Sequence, residues 1–95
     1  MTIFSQEQEP VVVPIDGTLD LHTFSPKDVP SLVDEYIRAA MEEGIYDITI
    51  VHGKGKGVLR RMVHSRLEKN SHVVDFGLDT GPSGWGATTV RLKKP

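Results

Sequence analysis

The sequence predicts an α/β two-layer sandwich, a mixed sheet with two helices packed on one of its faces. Three observations carry this expectation. Short runs rich in β-branched residues alternate with two stretches of helical periodicity in the order β-α-β-α-β-β. Each helical stretch has one apolar stripe, so each needs a single surface to cover it. Only a turn-rich segment separates the last two strands, which makes them a hairpin.

A chain of 95 residues suits one domain, placed at residues 11–95 behind a leader at 1–10. At this size about 60 to 65% of the unfolded surface is buried on folding, enough for one modest core and too little for a deep enclosed cavity. A surface site is therefore expected. Cysteine is absent. That excludes disulfides, cysteine zinc sites and thiol nucleophiles, and it agrees with a cytoplasmic setting. The first residues, MTIFSQEQEP, lack a cationic stretch followed by an apolar one, and no segment approaches the roughly 18 apolar residues of a membrane span, so no membrane partner is expected.

The leader is polar and ends in Pro10, and is expected to pack loosely. VVVPI at 11–15 reads as an extra edge strand, its proline being tolerated only there or at a strand end. GTLDLHT at 17–23 alternates, with Leu19 and Leu21 on one face and Asp20 and His22 on the other. Ser25, Pro26 and Asp28 then offer an N-cap, a proline at the first helical position and an approximate capping box. Apolar residues from Val29 to Met41 step by three and four, and Gly44 ends that helix. Pro30 leaves two starts open: a kinked first turn after Ser25, or a helix that begins at Asp28.

IYDITIVHG at 45–53 reads as a buried strand, and 57–69 as a second helix with Val58, Leu59, Met62, Val63 and Leu67 turned inward and Asn70 as its stop. HVVDFGL at 72–78 and ATTVRL at 87–92 are strands on either side of the loop DTGPSGWG.

Between the second strand and the second helix lies the segment VHGKGKGVLRR, residues 51–61. The formal net charge of the chain is −2, yet Lys54, Lys56, Arg60 and Arg61 stand here without an acid among them, so the positive field is local. The glycines fit neither GxxxxGK[ST] nor GxGxxG. What remains is general: glycines let backbone N–H groups approach an anion, and a helix start adds partial positive charge. Arg60 and Arg61 fall in a first turn where the macrodipole disfavours cations by up to about 1 kcal/mol each, a placement that stability alone does not explain. The plain alternative is a flexible turn with solvated cations.

LDLH at 19–22, HGKGKGVLR at 52–60 and GWGATTVRL at 84–92 resemble, in order and separation, the motifs of the Smr (small MutS-related) domain family. The resemblance covers about residues 17–93. It implies a fold similar to the C-terminal domain of translation initiation factor three. It also implies binding of nucleic acid, DNA or RNA, with DNA-nicking or RNA-cleaving endonuclease activity in some members, RNA or structured nucleic acid being placed ahead of duplex DNA. A protein partner that directs the domain is implied as well, since some Smr domains end larger MutS-like ATPases. On the family pattern the acid and histidine of LDxH fall on Asp20 and His22, the HGxG on His52, Gly53, Lys54 and Gly55, and the following arginine on Arg60. Thr23 and Ser83 stand where the pattern carries glycine, which bears on activity more than on fold.

Phosphodiester cleavage needs a base, an acid for the leaving oxygen and cations for the developing charge. Asp20 can orient His22 or hold a divalent ion such as magnesium, His22 can act as base, and Lys54 and Arg60 can hold the phosphate, with Lys56 and Arg61 beside them. Against this stands an ordinary solvent face carrying an Asp and a His. Two further readings follow: a phosphate-binding module that does not cleave, and a protein-interaction domain. His52 closes a buried strand and reads as a hydrogen-bonded structural group near the site. His64 and His72 lack a motif and read as surface residues. Trp85 either stacks on a base or folds back onto the core. No zinc-ligand spacing is present.

Overall fold

The computed structural model describes residues 2–5, 10–22, 24–53, 57–79 and 86–95. Strands β1 (Thr2–Ser5) and β2 (Pro10–Val13) pair antiparallel as a separate two-stranded sheet. Residues 2–5, expected within a loose leader, thus carry a strand, and residues 11–13 pair with it rather than adding an edge to the main sheet. The register sets Ile3 opposite Val12 and Phe4 opposite Val11, a β-branched and aromatic composition suited to strand pairing.

The main sheet has four strands, β3 (Thr18–Asp20), β4 (Asp47–Val51), β5 (Val73–Leu78) and β6 (Ala87–Leu92), in the spatial order β3-β4-β6-β5. β3 and β4 are parallel, and β6 runs antiparallel to both β4 and β5. Helices α1 (Val29–Glu42) and α2 (Val58–Lys69) supply the crossovers. This is the expected β-α-β-α-β-β sandwich.

Its core follows from the strand period of two. Leu19, Ile48, Ile50, Val90 and Leu92 are buried on one face against Val33, Tyr36 and Ile37 of α1 and Val63 and Leu67 of α2. The opposite face carries Asp20, Asp47, Thr49, Thr89 and Arg91 and is polar and largely open.

Of the two helix starts, the later one holds. Pro26–Asp28 forms a single 3-10 turn, and α1 begins after it with Asp28 as N-cap and Pro30 in the first turn, where its missing N–H costs nothing. Neither the Ser25 nor the Asp28 side chain makes a capping hydrogen bond; the turn closes instead through the Asp28 N–H and the Ser25 carbonyl at 3.0 Å. At the other end Gly44 has φ +75°, and the N–H groups of Gly44 and Ile45 reach the carbonyls of Met41 and Ala40 at 3.0 and 2.8 Å. Both bonds satisfy carbonyls that the helix end leaves over.

In α2, Val63 and Leu67 are buried and Leu59 and Met62 partly so, but Val58 is 51% exposed, against the inward position expected. Five residues before Val63 places it about 140° around the helix from that stripe. The helices are clasped to each other by Asp34, which accepts Arg66 Nε at 2.9 Å and Asn70 Nδ2 at 3.3 Å. Tyr36, fully buried, accepts the Gly17 N–H at 3.1 Å and so ties α1 to the entry of β3. Among the described residues no helix is long and apolar enough to cross a membrane.

Candidate active site

The strand directions bring four chain segments to one end of the sheet: the C-terminal ends of β3, β4 and β5 and the N-terminal end of β6. Helix α2 starts at the same end. At this end stand Asp20, His22, His52, Gly53, Arg60 and Arg61.

β3 stops at Asp20, although the Leu21 N–H still reaches the Val51 carbonyl at 3.0 Å. Leu19 and Leu21 are buried at 1% and 0%, which turns Asp20 and His22 outward as the alternation predicted. Asp20 Oδ1 accepts twice from one residue, the backbone N–H of His22 at 3.0 Å and its Nδ1 at 2.6 Å. An ionised carboxylate can only accept, so Nδ1 carries the proton and the neutral ring keeps its lone pair on Nε2. The two donors from His22, the backbone one first, hold the Asp20 carboxyl below its ordinary range and keep it ionised. Side-chain exposures of 76% for His22 and 51% for Asp20 leave the pair open to a large ligand.

His52 lies on the other side of the sheet. It follows β4 in the parity of Ile50, under the helices, and is only 7% exposed. Its Nδ1 meets the Gly53 carbonyl at 3.0 Å, and its Nε2 meets Thr88 Oγ1 at 2.8 Å. Thr88 is fully buried and also contacts His64 Nε2 at 2.7 Å. The His64 ring sits edge-on to His52 and packs on Phe76, with centroids 6.2 and 5.0 Å away. His64 is therefore not the surface residue expected: burial, then the neighbouring His52 and Arg60, lower its pKa below the usual histidine value, while Glu68 opposes them. The backbone joins the same segments, since the N–H groups of His52 and Gly53 both reach the Gly86 carbonyl, at 3.0 and 2.8 Å.

Gly57, the N-cap of α2, has φ +82°, and a Cβ built on it would lie 3.0 Å from Arg60 Nη2. The arginine thus folds over a glycine that leaves room for it. Arg61 is exposed, and its N–H bonds the Gly57 carbonyl at 3.0 Å. No acid occupies the first turn of α2. Lys54, Gly55, Lys56 and Trp85, and with them Thr23, Ser83 and Gly84, lie outside the described residues.

The structure thus brings Asp20 and His22 into direct contact and sets His52, Gly53 and Arg60 at the same end, with the His52 ring on the covered face. Thr88 and His64 were not singled out as site residues from the sequence. Among the described residues no group of three or more His, Asp and Glu side chains converges on a metal position. Asp20 offers a cation only the oxygen that His22 leaves over, so water and substrate oxygens would have to complete a magnesium shell. A groove of about 490 Å³ between Arg38, Met41, Tyr46, His72 and Lys93 lies at the far end of the sheet and includes none of these residues.

The Smr domain model matches residues 19–93, and the chain belongs to that family. It is 38% identical over 80 residues to Endonuclease MutS2 of Clostridium botulinum (strain ATCC 19397 / Type A), covering 83% of this chain and 10% of that protein. It is likewise 38% identical over 77 residues to Endonuclease MutS2 of Clostridium acetobutylicum, covering 80% and 10%. The chain therefore spans about a tenth of the length of these relatives. Among solved structures, the Smr domain of Thermus thermophilus MutS2 superposes with a TM-score of 0.74 at 27% identity, over 80% of this chain and 96% of that one. YdaL, a stand-alone small MutS-related protein from Escherichia coli, gives 0.76 at 25% identity over 85% and 67%. The resemblance read from the three motifs and the fold it implied both hold.

Proposed function

We propose that the domain binds nucleic acid across this end of the sheet and cleaves phosphodiester bonds, with His22 as the base and Asp20 as the group that orients it. The observation that carries this reading is the 2.6 Å contact between His22 Nδ1 and Asp20 Oδ1, with both side chains exposed. It leaves Nε2 as the free basic atom. Nε2 takes the proton of the attacking hydroxyl, from water or from a ribose 2′-OH. The new P–O bond forms as the leaving P–O bond breaks, and the proton passes from the imidazolium or from water to the leaving oxygen. Lys54, Lys56, Arg60 and Arg61, with the backbone of Gly53 and Gly55, hold the phosphates and balance the charge. Magnesium on Asp20 is an accessory in this reading, and no step depends on it. Trp85 is the candidate for stacking on a base. The setting in this reading is cytoplasmic, and a protein partner directs the domain to its substrate.

The naming of MutS2 relatives as endonucleases supports the reading. A second reading, binding without cleavage, is favoured by Thr23 and Ser83, which stand where the family pattern has glycine. Incubation with end-labelled single-stranded RNA and with supercoiled plasmid, each with and without magnesium, separates the two. Shortened RNA or nicked circles establish the enzyme and its substrate. Retarded but intact nucleic acid establishes the binding module, and neither outcome on either substrate leaves the protein-interaction reading.

A further inference from the structure

We infer that Thr88 and His64 are positioning residues: the Gly53 carbonyl sets the tautomer of His52, the Thr88 hydroxyl, held by His64, holds the other end of that ring, and His52 so placed clamps Gly53 at the entry of the glycine-lysine segment. The clamp itself is read from the geometry alone. Its consequence for ligand binding rests on the reading of residues 53–61 as a phosphate site.

The direction of each hydrogen bond follows from what each atom can do. The Gly53 carbonyl only accepts, so His52 Nδ1 must donate across the 3.0 Å contact. A neutral His52 then presents a lone pair at Nε2, which accepts the Thr88 hydroxyl proton across 2.8 Å. With that proton used, Thr88 Oγ1 accepts from His64 Nε2 across 2.7 Å. The chain runs one way, from His64 through Thr88 and His52 to the Gly53 carbonyl, and each bond polarises the next. Gly53, with φ +84°, is thereby held on both sides, its N–H by the Gly86 carbonyl at 2.8 Å and its own carbonyl by His52. Among the described residues nothing packs on this glycine, since a Cβ there would meet none of their atoms within 4 Å. Hydrogen bonds from two sides thus hold Gly53 where the chain leaves β4.

Nitrogen-15 NMR of the imidazole rings of the whole chain at pH 7.5 tests the clamp without any variant. His52 is expected as the Nδ1–H tautomer and His64 as the Nε2–H tautomer; His52 found as Nε2–H or doubly protonated overturns the inference. Thr88→Val keeps the shape and removes the hydroxyl, whereas Thr88→Ser keeps the hydroxyl. The valine variant is expected to lose the hydrogen bond at His52 Nε2, read as a shift of that nitrogen's resonance, and to bind a fluorescent single-stranded oligonucleotide about tenfold more weakly, the scale of one or two lost hydrogen bonds, and the serine variant to restore both. A folded Thr88→Val protein with the parental Nε2 resonance and affinity also overturns it. If the parent binds no oligonucleotide while His52 is Nδ1–H, the clamp stands and the nucleic-acid reading falls.

Discussion

Asp20 Oδ1 accepts both the backbone N–H and the Nδ1–H of His22, at 3.0 and 2.6 Å, so one carboxylate fixes the turn and the ring together. The strand supplies the rigidity, because Leu19 and Leu21 anchor either side of Asp20 in the core. Replacing Asp20 with Asn keeps the shape but lets the amide nitrogen face His22, which permits the wrong tautomer. Cleavage in Asp20→Asn is expected to fall by about 10²- to 10⁴-fold with oligonucleotide affinity retained. Parallel measurement of kcat and Kd checks this; a fall in affinity with kcat intact contradicts it.

Binding should weaken steeply with salt. Each cation that neutralises a backbone phosphate contributes about 0.7 to 0.9 to the log-log slope, so alanine at Lys54, Lys56, Arg60 or Arg61 should flatten the slope by about that amount. Titrations at four salt concentrations measure it. An unchanged slope in all four variants removes this segment from the binding site.

Gly57→Ala places a side chain at φ +82° and a Cβ 3.0 Å from the Arg60 guanidinium. The backbone strain is expected to lower the unfolding free energy measured in urea by about 1 kcal/mol. The arginine, being flexible, swings aside, so affinity should fall by no more than in Arg60→Ala. A variant as stable as the parent would show that the N-cap tolerates another conformation.

The lowered pKa of His64 makes stability depend on pH. The folded state disfavours the charged ring, through burial first and then through His52 and Arg60, while the unfolded chain takes up a proton near the ordinary histidine value of 6.5. The contribution of this residue is therefore complete above that pH and is lost as pH falls from there toward the lower folded value. Thermal midpoints between pH 7.5 and 5 should drop for the parent and drop less for His64→Gln. Parallel curves would contradict the assignment.

Much of the fold was legible because the two periods are clean. Residues 87–92 were read as a strand with its present bounds, and Leu19, Ile48 and Ile50 alternate into the core as written in the sequence. The β1-β2 hairpin was not read, since the polar run at 6–9 outweighed Ile3 and Phe4. Pro30 could be placed only once the 3-10 turn was seen, because a proline marks a helix start without saying which turn precedes it. In the site, Asp20 and His22 were legible from alternation and motif together. Thr88 carried a usable signal, as it shares the parity of the buried Val90 and Leu92. His64 stands three residues before the buried Leu67 on the same helix face. What no local pattern shows is that β6 pairs with β4, and only that pairing brings Thr88 to His52.

In the proposed mechanism His22 does the chemistry and the basic segment does the holding. Single-turnover cleavage by purified, folded His22→Ala protein, beside its affinity for the same end-labelled substrate, separates the two roles. The expected result is a rate lower by about 10²- to 10⁴-fold at unchanged Kd, with the Asp20→Asn, His22→Ala double variant little slower than the worse single one. Cleavage by His22→Ala at the parental rate would contradict it.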